Sequence, residues 1–127
     1  MTTRLLLDTH ALIWVLSNPR RLPARVAESI RDSETDVYVS AASTWEIAIK
    51  AALRKIDANV GDVVRAVRAV SFDELPVTIA HTVRLGTLPH HHRDPFDRLL
   101  VATALVEGLT LVSADAAFDS YGISRLW

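Results

Sequence analysis

Cysteine is absent from the 127 residues, which excludes disulfide staples and thiolate metal sites. Glycine is scarce, with four in all, and none falls into a loop able to cradle phosphate with backbone amides. No G-x-S-x-G elbow occurs, so a nucleophilic serine of the hydrolase type has no support. No apolar run approaches the ~18 residues that a bilayer-crossing helix needs, so no membrane association is expected. The opening Met-Thr-Thr-Arg leads directly into a strand-like stretch carrying an aspartate, and it does not read as a secretory leader. Together with the missing cysteine, this sets a cytoplasmic location as the expectation. Lysine is nearly missing too: 12 of the 14 basic residues are arginine. Arginine suits bidentate phosphate contact, yet genome base composition yields the same bias. A net charge of -1 gives no global pull toward nucleic acid.

What the chain does have is apolar mass. Hydrophobic residues make up 50% and charged residues 23%, the balance of one globular domain spanning 1–127. A mean hydropathy of +0.20 is high for so small a protein and points to apolar surface reserved for a partner chain.

Short β-branched runs alternate with helical patterns. Strands are expected at RLLL (4–7), DVYVS (36–40), within SFDELPV (71–77), LTLVS (109–113) and ISRLW (123–127). Helices are expected over 9–16, from Pro23 to about 31, from an N-cap at Ser40 over 41–55, over 60–70, over 78–85, and from Asp94-Pro95 to Glu107, where Gly108 stops the last one. ADAAFDSYG (114–122) reads as a short helix or turn. Strands separated by helices imply parallel pairing, hence an α/β fold with helices on both faces of a parallel sheet.

Four carboxylates stand out. Asp8 ends the first strand and Asp115 lies just past the fourth, at the edge where open parallel sheets collect ligands. Each also suits a helix cap, and taken singly the cap is the simpler account. At about 100° per residue, Ala42, Trp45, Ile49, Ala52, Leu53 and Ile56 share a stripe expected to face the core, with Glu46 at its margin. A pair with Lys50 four residues on is the plain alternative for Glu46. Asp97 sits at the start of a helix apolar nearly all round, so that helix is expected to be central and buried. Asp94 already caps it, and the helix dipole favours a negative charge at Asp97 without explaining its presence. Acids converging on one edge raise each other's pKa, and a divalent cation reverses that sign. Oxygen-only donors suit Mg²⁺ or Mn²⁺, and such a site hydrolyses phosphodiesters. In HHHRDPF, His90, His91 and His92 cannot all face one ion in regular structure. A solvated loop is expected there, with His92 lining the cleft.

The segments LLLDTHALIW, SAASTWEIAIK, LPHHHRDPFDRLLVATA, LTLVSAD and YGISRLW together resemble the PIN-domain ribonucleases, and more narrowly the VapC-type toxins of toxin–antitoxin pairs. The resemblance covers essentially the whole chain and is most specific in W-E-I-A-I-K combined with H-R-D-P-F-D-R. It implies a PIN-like three-layer α/β/α fold with a parallel sheet of four to five strands. It implies that Asp8, Glu46, Asp97 and the more variable Asp115 bind Mg²⁺ or Mn²⁺ and cut RNA. A homodimer and a small antitoxin partner follow from the same likeness. Two departures are visible: Ser113 stands where a threonine is usual, and ALRKID follows Glu46's helix where many relatives have a glycine-containing turn.

Two other readings compete. A haloacid-dehalogenase-like phosphatase also places an Asp after strand one and a Ser after strand two (Ser40), but it needs a second Asp where this chain has His10. A non-catalytic interaction module would leave the four acids as caps or relics.

Overall fold

The computed structural model describes residues 2–127. Its five strands, β1 (Thr3–Leu7), β2 (Thr35–Ser40), β3 (Asp73–Leu75), β4 (Thr110–Val112) and β5 (Arg125–Leu126), form one sheet in the order β3-β2-β1-β4-β5. Every pairing is parallel. The helices are α1 (Thr9–Ser17), α2 (Ala24–Arg31), α3 (Ala41–Ala52), α4 (Val60–Ala69), α5 (Ile79–Leu85) and α6 (Pro95–Glu107). Short 3-10 turns lie at Pro19–Arg21 and Ala116–Tyr121. The α/β class and the parallel five-stranded sheet are as the sequence implies.

The two-residue period of a strand divides β1 between two cores. Leu6 points to one face, where α6 supplies Leu99 to Ala102 and Ala104, with Leu88, Leu111 and Phe118 beside them. Leu5 and Leu7 point to the other, against Ala11 and Leu12 of α1, Val26 of α2 and Val67 of α4. Helix α3 belongs wholly to neither layer. Its Ala42 joins the first core and its Ile47 the second, and it touches α1, α4 and α6.

Local signals account for most helix starts. Ser40 accepts from the Ala42 amide, Asn59 from Asp62, and Asp94 from both Phe96 and Asp97. Helix α6 stops at Gly108 in the left-handed region, as expected. Helix α3 is shorter than expected, ending at Ala52 rather than about residue 55. Arg54 takes φ +57°, its amide bonds the Ala51 carbonyl, and the Lys55 amide bonds that of Lys50 at 2.8 Å. This is the Schellman closure that glycine usually makes, here made by an arginine, so the composition gave no stop signal. Strands β4 and β5 are likewise shorter than the apolar runs that announce them. Among the described residues, no helix is long and apolar enough to cross a membrane.

Candidate active site

The chain passes from β1 to β2 on one side and returns to β4 on the other, so the switch in strand order lies at β1/β4. Crevices form at such a point. Asp8 follows β1 there, and its amide donates to the Val112 carbonyl at 3.0 Å, extending the β1/β4 ladder by one residue. Its carboxylate is buried and caps α1 by accepting from the Ala11 amide at 2.7 Å. The cap is therefore real. Burial pushes Asp8 above the usual carboxylate range, and nearby Glu46 adds to this; the Ser113 hydroxyl, the Ala11 amide and His10 pull the other way.

Glu46 overturns the expectation for α3. The buried positions are Ala42, Ser43, Glu46 and Ile47, and Glu46 is only 3% exposed. Of the stripe expected to face the core, Ala42 is buried and Ile56 packs against the second core, but the middle points outward, with Trp45 53% and Leu53 61% exposed, and Ile49 open as well. The inner face of α3 is turned to the sheet edge, where it must carry polar groups. Thr9 donates to Glu46 Oε1 at 2.5 Å and stands 3.2 Å from the Ser43 hydroxyl. Lys50 Nζ bonds Glu46 Oε2. The i,i+4 pair that sequence offered as the plain alternative thus exists, but it is a half-buried pair at the site.

Asp97 opens α6, a helix in which Arg98 to Ala104 are all buried, as its all-round apolar pattern implies. Burial, followed by the charges of Asp94, Glu46 and Asp8, pushes the Asp97 carboxyl up to about 7, with His92 pulling it down. The dipole at the helix start does not keep Asp97 in the ordinary carboxylate range, because burial and the neighbouring acids outweigh it.

The structure thus brings Asp8, Glu46 and Asp97 into mutual electrostatic reach, with Asp94 beside them. Asp115 stands apart from the three. It is half-exposed, caps the 3-10 turn through Ala117, and accepts from His92 at 3.3 Å. The Ala117 amide, with His92 and Arg125, holds it below the usual carboxylate range. Among the described residues, no three His, Asp or Glu side chains are gathered tightly enough to hold an ion as they stand. Glu46 is turned to Thr9 and Lys50. The donors themselves, hard oxygens in uncompensated excess, fit Mg²⁺ or Mn²⁺.

Several contributors were not singled out in the sequence. Thr9 gives its hydroxyl to Glu46 and stands 3.2 Å from the Ser43 hydroxyl, and hydroxyls at such places read as caps. Arg98 is buried and donates to the Pro89 carbonyl at 2.8 Å, and more distantly to Leu85, which secures the loop carrying His90 to His92. One guanidinium inside an apolar run was the available signal. His81 is fully buried; its Nδ1 accepts from the Thr78 amide, so its Nε2 carries the proton toward Glu107.

A family model for the PIN domain matches residues 5–123. The chain is 30% identical over 126 residues to Ribonuclease VapC22 of Mycobacterium tuberculosis (strain ATCC 25618 / H37Rv), covering 94% of this chain and 92% of that protein. In structure it is similar to DNA-bound VapBC from Salmonella typhimurium, with TM-score 0.73, 17% identity and 98% of each chain covered. A toxin–antitoxin complex from Klebsiella pneumoniae is similar at TM-score 0.63 and 18% identity, over 96% of this chain and 95% of that one.

Proposed function

This chain belongs to the PIN-domain family, in its VapC branch, and on that premise we propose that it is a divalent-metal-dependent endoribonuclease acting as the toxin of a toxin–antitoxin pair. The observation that carries this reading is a buried Asp97 facing the charges of Asp94, Glu46 and Asp8, which together leave its carboxyl at about 7. A fold under selection for stability alone has no use for such repulsion, whereas a cation converts it into binding energy. Asp8, Glu46 and Asp97 would hold Mg²⁺ or Mn²⁺, with Asp115 completing the set. Bound there, the ion supplies Lewis acidity toward the phosphoryl oxygens and the attacking water.

The chain's own residues do the rest. Thr9 fixes one Glu46 oxygen, and the Lys50 ammonium balances the other. Asp94 bonds the first free amides of α6, so the Asp97 backbone is held rigidly while its carboxylate stays available. RNA is the substrate in this reading, and the cytoplasm is where substrate and enzyme meet. A cognate antitoxin is the second partner. A homodimer is supported by exposed apolar residues on three neighbouring helices: Trp45 and Ile49 on α3 with Leu53 at its C-cap, Ile79 and Val83 on α5, Val106 on α6. Helix α6 packs against both of the others. The phosphatase alternative gains nothing, since position 10 is His10 and exposed.

The test is cleavage of total cellular RNA by the purified chain, with ends mapped by sequencing. Cleavage is expected to stop in EDTA and to return with Mn²⁺ or Mg²⁺. Cleavage undiminished in chelator overturns the metal-dependent reading.

A further inference from the structure

Asp115 is the one proposed metal ligand that sits on a turn outside the crowded trio, and half of its side chain is open to solvent. A carboxylate so placed loses rotamer freedom on binding an ion unless something holds it beforehand. Its Oδ1 accepts from the Ala117 amide at 2.9 Å and its Oδ2 from His92 Nε2 at 3.3 Å. His92 is itself held on several sides. Its ring lies nearly parallel to Phe118, centroids 4.7 Å apart, and to Tyr121 at 5.4 Å. Its Nδ1 lies 3.1 Å from the Tyr121 hydroxyl. One neutral tautomer satisfies both ends: the Tyr121 hydroxyl donates to Nδ1, and Nε2–H donates to Asp115. Of the three consecutive histidines, His90 and His91 are exposed and only His92 is enclosed.

We propose that His92, held by Phe118 and Tyr121, is a positioning residue that presets the Asp115 carboxylate for a divalent ion. The proposal rests on the reading of Asp115 as a ligand. Partners of metal-bound groups typically contribute 10–100-fold to metal affinity. The chain Tyr121–His92–Asp115 is such a partner arrangement, built between the 3-10 turn and the loop before α6.

Mn²⁺ binding, followed by electron paramagnetic resonance on the full chain without RNA, tests it. His92→Phe keeps a flat ring between the aromatics and removes both hydrogen bonds. It is expected to weaken Mn²⁺ binding at least ~10-fold while the melting temperature in EDTA moves by only a few degrees. His92→Gln, which retains a donor for Asp115, is expected to recover part of the loss. Tyr121→Phe is expected to weaken binding less than His92→Phe does. RNA cleavage by His92→Phe is expected to return toward the parent rate as Mn²⁺ is raised, because the defect lies in capture. Parent-like Mn²⁺ affinity in His92→Phe overturns the proposal, as does His92→Gln no better than His92→Phe. Asp115→Asn with unchanged affinity also overturns it, and shows that the reading of Asp115 was at fault. Unchanged affinity in Asp97→Asn as well places the failure in the metal-site reading itself.

Discussion

Helices α3 and α6 each bring one acid to the same sheet edge, from opposite surroundings. Seven consecutive residues of α6, Arg98 to Ala104, are buried, so every face of that helix meets protein. Helix α3 buries Ser43 and Glu46 along with Ala42 and Ile47, and shows its large apolar residues Trp45 and Ile49 to solvent. Periodicity identifies which residues share a face, and it is silent on which face turns inward. For α6 the question does not arise, because there is no polar side to choose. For α3 the choice is settled by position: it spans the crevice, so its inward face meets carboxylates and hydroxyls, and its apolar face is left for another surface.

The comparison can be broken most sharply on stability. Leu100→Ala on α6 removes a fully buried side chain and is expected to cost ~2–5 kcal/mol in urea unfolding. Leu53→Ala on α3 is expected to change the monomer by no more than ~0.5 kcal/mol, and any larger effect should grow with protein concentration. A large, concentration-independent loss for Leu53→Ala would mean that α3 is an ordinary core helix. Sedimentation of Trp45→Glu gives the companion measurement, with a shift toward monomer as the expected result.

Activity gives the next largest effect. Asp97→Asn keeps the shape of the side chain and removes its charge, and the capping by Asp94 is untouched. RNA cleavage is expected to slow by ~10²-fold or more, the scale of losing one electrostatic stabiliser, with the fold and antitoxin binding retained. Near-parental cleavage would reduce Asp97 to a helix-start residue and leave α6 a purely structural helix.

The two acids also differ in their neutralisation. Glu46 has the Lys50 ammonium on one oxygen and Thr9 on the other, whereas the main influences on Asp97 are burial and other acids. Lys50→Met is therefore expected to cost ~1–3 kcal/mol, the price of a buried group left without its partner. The double change Glu46→Gln with Lys50→Met is expected to recover most of that. A neutral Lys50→Met would show that Glu46 is better solvated than its 3% exposure implies.

These contrasts mark what the sequence made legible. The parallel α/β class followed from strands alternating with helices, and α6 from Asp94-Pro95, its apolar run and Gly108. Asp8 was legible as a carboxylate between two buried segments. The inward face of α3 was not, because Glu46, Ser43 and Thr9 form a polar cluster across two helices and no single helix's period reports it. The end of α3 was missed because Arg54 adopts a backbone conformation that glycine usually signals. His92 was placed at the cleft, but its enclosure depends on Phe118 and Tyr121, more than 25 residues further on, and contact at that range has no local signature.

The smallest effect concerns pH, and its sign separates Asp97 on α6 from Asp115 on the 3-10 turn. The Asp97 carboxyl titrates near 3.8 when ordinary and is pushed up to about 7 in the folded chain. Between those values the folded chain holds a proton that the unfolded chain has released, so this group favours folding below about pH 4 and that contribution is lost as pH rises through about 7. Asp97 is partly open to solvent, and screening leaves an effect of ~1 kcal/mol, a few degrees in Tm. Asp115, held below the usual range, acts in the opposite sense, its contribution being lost as pH falls. In EDTA the parent is therefore expected to melt lower at pH 8 than at pH 5 relative to Asp97→Asn, with the two curves converging toward acid. Mn²⁺ is expected to raise the parent's Tm more at pH 8 than at pH 5, since only the ionised acids attract it. Parallel melting curves for parent and Asp97→Asn across this range would mean that neither burial nor its neighbours' charge perturbs Asp97 in solution, and that what distinguishes it from the paired Glu46 of α3 is absent.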